Sequence, residues 1–409
     1  MKVLVLGCLL LAFTTAFTPV WNAPTDMCGP DGSCPDTILR PDAYNVTTNA
    51  NMSWRGSNMV LLYKCGLFPL LTAGNYTKTP CWVNDTGNCS WNPWGTLTPS
   101  VNGGVPQAAN LTAHLEAVRS DIISNVPDPD FEGFLIIDWE DWRVPFDDNF
   151  DEHSAYNEYS KRLVRTAHPT WNSTVVAKAA ESEFNAAAEV FWTATVKEIK
   201  QLRPQAKVGF YNYPYGENPY IAQLQWLWAV VDVLAPSFYY DQFKTTNEDF
   251  SRSFGAVQSA LTVQGNVTSR RHLLVMPYVL DGLFLPPWEW GQGSSSSGSA
   301  TPPPLPVAFT DAAIAASYAL PTALGADGVF LWGSSYSVSN CADCGVLADA
   351  WQQRIGAVMA ECVAAAEECR ITHCSAGQRC SRVDLTPLNV TMTAAELCNF
   401  NPPAVVECI

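Results

Sequence analysis

The sequence is poor in charge, and above all in basic charge. Charged residues make up only 15% of 409 positions, and 23 lysines and arginines stand against 39 aspartates and glutamates, a formal net charge of −16. Because a nucleic-acid partner requires a basic surface, this balance argues against one. An acidic protein can still bind a polyanion through a local basic groove, or at acidic pH where its carboxylates are partly protonated.

The usual signatures of metal and cofactor sites are also missing. The five histidines are scattered and form no HExxH pair, and the CADC segment at 341–344 has no second CxxC near it. This pattern speaks against a zinc or redox centre. No GxGxxG turn follows an apolar run, which disfavours a dinucleotide-binding fold. We therefore expect neither a metal nor a cofactor.

The N-terminus is the only stretch with a targeting pattern. Lys2, an apolar run from Val3 to Phe13 and small residues at 14–16 are typical of a signal peptide over residues 1–16. No later stretch approaches the roughly 18 apolar residues that span a bilayer, so we expect no transmembrane segment. Fourteen cysteines, eight of them after residue 340, predict disulfides in an oxidising compartment. We therefore expect a secreted or lysosomal protein. Its expected oligomeric state is a monomer.

Asn-X-Ser/Thr sites support the same compartment. Nine of them predict N-glycosylation, at Asn45, Asn51, Asn75, Asn84, Asn88, Asn110, Asn172, Asn266 and Asn389.

Short apolar runs alternate with helical patterns over most of the chain. Predicted strands lie at 18–21, 59–63, 134–138, 207–213, 231–240, 272–279 and 328–332. Apolar strands separated by helices indicate a parallel sheet covered on both faces, and about seven such units fit a TIM-like β/α barrel. We place the barrel at 17–355, with a low-complexity loop at 291–306, and a small disulfide-rich C-terminal module at 356–409.

The segment FLIIDWEDWRVPF (134–146) carries the chemistry. Asp138 and Glu140 follow a buried strand, and positions i and i+2 of an extended chain share a face, roughly 6 to 7 Å apart, while Trp139 points away. Neighbouring carboxylates cannot both ionise easily, so one can act as a general acid in glycoside cleavage. The alternative is a solvated loop whose acids pair with Arg143.

Aromatic residues occupy the ends of other predicted strands. Tyrosine and tryptophan stack on sugar faces while their polar tips bind hydroxyls. Ordinary packing inside the barrel is the alternative for each residue alone, and their shared placement favours a joint role. They are Tyr211, Tyr239, Tyr278 and Trp332.

Taken in order, these segments resemble the hyaluronidase family of glycoside hydrolases. FTPVWNAPTDMC (17–28), NMVLLYKCGLFP (58–69), NGGVPQAANLTAHL (102–115) and IDWEDWR (137–143) are similar to family segments. LRPQAKVGFYNYP, APSFYY, MPYVLDG and GADGVFLWGSS follow in the family's order, so that the resemblance covers residues 17–355. It implies a distorted barrel of about seven strands with a groove for a polysaccharide.

The resemblance also implies roles for individual residues. Glu140 matches the proton donor, and Asp138 the residue that orients the substrate's own N-acetyl group as nucleophile with retention of configuration. The substrate-binding set consists of Tyr211, Tyr239, Tyr278, Trp332, Trp139 and Arg143. Cys28 is expected to pair with Cys341.

The implied activity is hydrolysis of a glycosaminoglycan, hyaluronan or chondroitin, by a secreted endo-β-N-acetylhexosaminidase. One alternative keeps the fold and changes the polymer, to chondroitin alone or another polysaccharide. Another is a catalytically silent carbohydrate-binding or adhesion protein, against which the presence of both acids speaks.

The chain departs from the family pattern at several positions. Val144 stands between Arg143 and the proline that usually follows the arginine directly, and Tyr215 and Gly216 replace an acidic residue and a cysteine found in many relatives. Cys81 and Cys89 are expected to form a local bridge, and 368–380 is loosely like an EGF-like tail.

Overall fold

A computed structural model describes most of the chain. The described residues are 17–34, 38–73, 81–83, 89–91, 97–150, 153–215, 220–267, 272–285, 306–335, 337–375, 377–386, 392–401 and 406–409. The predicted signal peptide, residues 291–305 of the predicted loop and four predicted glycosylation sites (Asn75, Asn84, Asn88 and Asn389) lie outside them. The Cys81–Cys89 bridge lies outside the residues whose side chains are described.

Parallel strands form the centre of the described part. These strands are β1 (Thr18–Trp21), β2 (Met59–Leu62), β3 (Phe134–Ile137), β4 (Lys207–Tyr211), β5 (Val233–Ala235), β6 (Leu274–Val275), β7 (Tyr278–Leu280) and β8 (Gly328–Trp332). They make two sheets, in the orders β1-β8-β7 and β6-β5-β4-β3-β2. Only Met276 and Pro277 separate β6 from β7, so the two sheets are consecutive.

One buried cluster takes side chains from strands of both parallel sheets and is separate from the main core. Because side chains alternate along a strand, one face of each strand reaches this cluster and the other packs under helices. The arrangement confirms the predicted α/β class. The described ladders include none between β1 and β2, so the closed barrel stays a prediction. The cluster consists of Val20, Met59, Leu61, Ile136, Val233, Ala235, Met276, Tyr278 and Phe330.

Helices cover the outer face of the strands. Asn110 and Asn172 cap the first and third of them through side-chain oxygens, and Thr245 with Glu248 forms a capping box on another. The helices are Leu111–Asn125, Ser154–Ala167, Ser173–Leu202, Gln225–Trp228, Thr246–Asn266, Asp311–Ile314, Leu320–Ala323, Cys341–Ala350, Gly356–His373 and Ala394–Leu397, with π-helical turns at Ala315–Ala319 and Trp351–Ile355.

Shorter elements complete the described part. Antiparallel pairs join Leu70–Ala73 to Leu97–Val101, Cys81–Val83 to Cys89–Trp91, and Cys380–Arg382 to Val406–Cys408. The 3-10 helices are Asp26–Cys28, Pro41–Tyr44, Ala50–Met52, Pro106–Ala108 and Phe146–Asp148.

The predicted pairing of Cys28 with Cys341 is wrong. Cys28 is bonded to Cys344, and Cys341 to Cys34, with Cα–Cα distances of 5.4 and 5.2 Å. Cys341 and Cys344 lie three residues apart on one helix and therefore face the same way. Both can then reach the 28–34 loop. The pairing predicted from the resemblance did not take Cys34 and Cys344 into account, and these two cysteines complete the two bridges.

The C-terminal segment is tied to itself by further bridges. Within the described residues these are Cys362–Cys398, Cys369–Cys380 and Cys374–Cys408. The predicted boundary between residues 355 and 356 falls inside a continuous helical run from Cys341 to His373. The division into two domains therefore stays a prediction.

Two observations bear on the predicted compartment, the exposure of the glycosylation sites and the length and hydropathy of the helices. All five predicted glycosylation sites in the described residues (Asn45, Asn51, Asn110, Asn172 and Asn266) are exposed. Within that same part of the chain, no helix is both long and apolar enough to cross a membrane.

Candidate active site

The end of β3 delivers the two carboxylates. Ile137 pairs with Leu62 on one side and Phe210 on the other, and the Asp138 N–H continues the ladder to the Leu62 carbonyl at 3.0 Å. The next residues alternate as an extended chain requires: Asp138 is half-buried, Trp139 is buried and Glu140 is exposed.

Trp139 points into the core, on the side away from the carboxylates. Its indole stacks on Phe68 at 4.4 Å and meets Trp192 edge-on at 5.4 Å. Only 4% of the residue is exposed. This position gives Trp139 a packing role, and the substrate contact stays a prediction.

Both carboxyl groups hold their protons more tightly than usual. Burial, with the charges of Glu140 and Asp141, raises the pKa of Asp138 to about 8. Partial burial also raises the pKa of the Glu140 carboxyl group, although much of the residue is exposed and the Arg143 cation acts in the opposite direction. Oδ1 of Asp138 is buried and has no hydrogen-bond partner among the residues that the structure describes. The pair thus has a proton to donate and an oxygen open to a ligand.

Replacing Asp138 with asparagine should stabilise the protein at alkaline pH. Since the pKa of Asp138 is about 8 in the folded chain against an ordinary 3.8, the folded state binds more protons between these values. The free energy of unfolding therefore falls as the pH rises through that window. At about 1.4 kcal/mol for each pKa unit, we expect a gain of about 5 kcal/mol at pH 8 and less than about 1 kcal/mol at pH 4. Urea unfolding at both pH values measures it, and equal gains at both would contradict the assignment.

Three aromatic side chains lie beside the carboxylates at the carboxyl ends of the strands, a region that we call the groove. The Tyr211 and Tyr239 rings lie 6.4 Å apart and nearly parallel, and Tyr239 stacks on Trp332 at 5.3 Å. The Tyr239 hydroxyl is hydrogen bonded to that of Tyr211. All three are half-buried at the carboxyl ends of their strands or just beyond, so part of each side chain remains exposed.

Tyr278 and Tyr63 extend this lining. Tyr278 is fully buried and meets Tyr211 edge-on at 5.1 Å, so it supports the groove from below. Tyr63, which sequence reasoning missed, is 45% exposed and accepts a 3.0 Å hydrogen bond from the Trp332 indole. It directly follows β2, and this strand-end position was the available signal.

Comparisons with known proteins agree on one family. A family profile described as Hyaluronidase, that of glycoside hydrolase family 56, matches residues 92–221 and 314–398. The hyaluronidase of Apis mellifera is 31% identical over 343 residues, 80% of this chain and 79% of that one. The chain belongs to the hyaluronidase family. This membership confirms the resemblance and makes the protein a glycoside hydrolase.

The chain is also similar to a mammalian hyaluronidase and to a solved hyaluronidase structure. Hyaluronidase-1 of Bos taurus is 28% identical over 90% of this chain and 76% of its own. The crystal structure of bee venom hyaluronidase in complex with a hyaluronic acid tetramer has a TM-score of 0.68 and 29% identity. That likeness covers 83% of this chain and 98% of the bee protein.

Arg143 lies close to Glu140, and its guanidinium group contacts two aromatic rings. Its guanidinium sits 4.4 Å from the centre of the Tyr215 ring and 5.1 Å from that of Phe150. One of its terminal nitrogens, Nη1, is buried without a hydrogen-bond partner in the described residues. It therefore offers a cation at a small pocket lined by Trp139, Glu140, Arg143, Tyr211, Asn212, Tyr213 and Tyr215.

The inserted Val144 is accommodated by the neighbouring strand end. Val144 is buried, and its N–H donates a 3.1 Å hydrogen bond to the Tyr213 hydroxyl. The irregularity thus fastens the segment after the carboxylates to the end of β4 and leaves Arg143 at the groove.

Proposed function

We propose that this enzyme is a secreted endo-β-N-acetylhexosaminidase that hydrolyses hyaluronan, chondroitin or both. The observation that carries the proposal is the pair Asp138 and Glu140 beneath an aromatic lining at one edge of the sheet. The hyaluronic acid tetramer bound by the related bee protein supports a glycosaminoglycan substrate. Secretion is supported by the signal-type N-terminus and by the five disulfides found in the described residues.

Glu140 is the proton donor of the proposed reaction. Its raised pKa keeps the acid form available, and the proton passes to the glycosidic oxygen as the bond to the anomeric carbon breaks. After the leaving sugar departs, the carboxylate takes a proton from the water that attacks the anomeric carbon. The same residue thus acts first as acid and then as base.

Asp138 positions the nucleophile, which the substrate supplies. The carbonyl oxygen of the N-acetyl group attacks the anomeric carbon and forms a cyclic intermediate, whose opening by water restores the original configuration. The unpartnered Oδ1 of Asp138 can accept the acetamido N–H and hold the group in line. Because no protein atom attacks, the carboxylates need not have the roughly 5 Å spacing of an enzymatic nucleophile.

The groove residues fit a polyanionic chain of sugars. Tyr239 and Trp332 form a stacked platform for sugar rings. Arg143 is a cation beside the carboxylates in a chain of net charge −16, and its open nitrogen suits the carboxylate of a uronic acid. The closed, distorted barrel that we predicted would bring these strand ends into one groove.

Size analysis of three polymers tests the proposal. Hyaluronan and chondroitin should be shortened with new reducing ends, whereas N-deacetylated hyaluronan, which lacks the nucleophile, should stay intact. A carboxyl group loses its proton as the pH rises through its pKa, so kcat/KM should fall on the alkaline side of a profile from pH 3 to 8. Binding without cleavage of either polymer would favour the silent carbohydrate-binding protein, and rapid cleavage of the deacetylated polymer would exclude substrate assistance.

A further inference from the structure

The groove aromatics belong to a closed circuit of contacts. Beyond the Tyr211, Tyr239 and Trp332 stack, the Trp332 indole binds the Tyr63 hydroxyl, and the Tyr63 ring lies 5.4 Å from that of Trp54. Tyr278 meets Tyr211 at the other end. We call these six residues the aromatic circuit: Trp54, Tyr63, Tyr211, Tyr239, Tyr278 and Trp332.

A single buried asparagine joins the two ends of the aromatic circuit. Oδ1 of Asn22 accepts the Tyr278 hydroxyl at 3.0 Å, and its Nδ2 donates to the Trp54 carbonyl at 3.0 Å. Asn22 is fully buried and follows β1, where its N–H binds the Leu331 carbonyl of β8. It therefore sits at the gap between β1 and β2, for which no ladder is described.

We propose that Asn22 is a positioning residue for hydrolysis, which sets the orientation of the aromatic lining without touching the substrate. The inference rests on the proposed function and goes beyond it. An asparagine suits this place because it offers one acceptor and one donor in a fixed plane, and both are used. Loss of either bond leaves the buried Tyr278 hydroxyl or the partly buried Trp54 carbonyl without this partner, and such losses drive local rearrangement.

The energetic link runs through Tyr278. Burial raises the pKa of its hydroxyl well above the ordinary value, so the phenol remains a hydrogen-bond donor to Asn22 at every working pH. With this bond in place, the Tyr278 ring fixes Tyr211 edge-on, and Tyr211 in turn fixes Tyr239 through their hydroxyls. The sugar at the cleavage point would meet a surface that is already ordered.

A double-mutant cycle between Asn22→Ala and Tyr278→Phe tests the link. Tyr278→Phe keeps the ring and removes only the donor, so its fold should survive even where Asn22→Ala is poorly stable. We expect about a tenfold loss of kcat/KM in each single variant, mostly in kcat because distant subsites still bind the polymer. The double variant should lose about as much as Asn22→Ala alone, since the bond between Asn22 and Tyr278 that Tyr278→Phe removes is already broken in that variant. A hundredfold loss, or wild-type kcat in either single variant, would overturn the proposal.

Asn49 provides a matched control for a purely structural role. It is also buried, and its side chain binds Ser53, Asn58 and Met59 at the opposite end of β2. Asn49→Ala should lower the melting temperature and leave kcat of the folded protein unchanged. A similar drop in kcat would reduce Asn22 to a stabilising residue.

A readout without substrate separates this proposal from the proposed function. The tryptophan bands in the near-UV circular dichroism of the free protein, which loss of a tyrosine does not itself remove, should change in Asn22→Ala and Tyr278→Phe alike, and not in Asn49→Ala. If the wild-type chain cleaves no glycosaminoglycan, the proposed function fails, and this spectrum still reports whether Asn22 orders the aromatic circuit. Unchanged spectra in both variants would contradict that ordering.

Discussion

Glu140→Gln should lower the rate of polymer hydrolysis by about a thousandfold or more while the protein stays folded. Glutamine has nearly the same shape and hydrogen-bonding reach but carries no proton that it can give to the glycosidic oxygen. Because Glu140 is exposed and follows the end of β3, the change removes no packing. Reducing-end release measures the loss, and gel filtration with labelled hyaluronan shows whether the polymer still binds.

Asp141→Asn is the matched control for this variant. Asp141 neighbours Glu140 in the chain, and its charge raises the pKa of both Asp138 and Glu140. Removing that charge should lower both pKa values and move the alkaline limb of the rate profile to lower pH, with activity retained at acidic pH. Equal and complete loss in both variants would point to a general charge effect, and full activity of Glu140→Gln would remove Glu140 from the donor role.

The ends of the strands were harder to predict than their positions. The runs at 18–21 and 328–332 became strands with the predicted limits, whereas the run predicted at 231–240 is a strand only at Val233–Ala235. Apolar and aromatic composition indicates burial, and these residues remain buried after the ladder ends. The run at 272–279 was predicted as one strand but is interrupted at Met276 and Pro277, because proline has no N–H to donate to a ladder.

In the candidate active site, features that depend on neighbouring residues could be predicted, and features that depend on residues distant in the sequence could not. The shared face of Asp138 and Glu140 followed from strand alternation, which needs only neighbouring residues. The role of Asn22 could not be predicted, because its hydroxyl partner Tyr278 is 256 positions away in the chain. The same holds for the indole of Trp332 and its acceptor Tyr63, which are 269 positions apart. Amino-acid composition indicates that such residues are buried. Which of them contact each other depends on the tertiary structure.

The two bridges between the 28–34 loop and the helix that begins at Cys341 should together be the largest covalent contribution to stability. They span 316 and 307 residues, and a cross-link that closes so long a loop removes much entropy from the unfolded chain. With one bridge intact, the other closes a ring of only about ten residues. We therefore expect loss of either bridge alone to cost about 3 kcal/mol, and loss of both to cost about 8 kcal/mol.

The redundancy follows from the correction to the predicted pairing, and it can be measured with alanine variants. Urea unfolding compares the Cys28→Ala/Cys344→Ala pair, the Cys34→Ala/Cys341→Ala pair, and all four changes together. In each of the first two proteins, the remaining bridge still joins the loop after β1 to the helix that follows β8. Both proteins should therefore keep hydrolytic activity. The fourfold variant should lose stability out of proportion, by more than the sum of the two pairs. Strict additivity would mean that the bridges act through local packing at Cys28 and Cys34 and not through the long loop that they share.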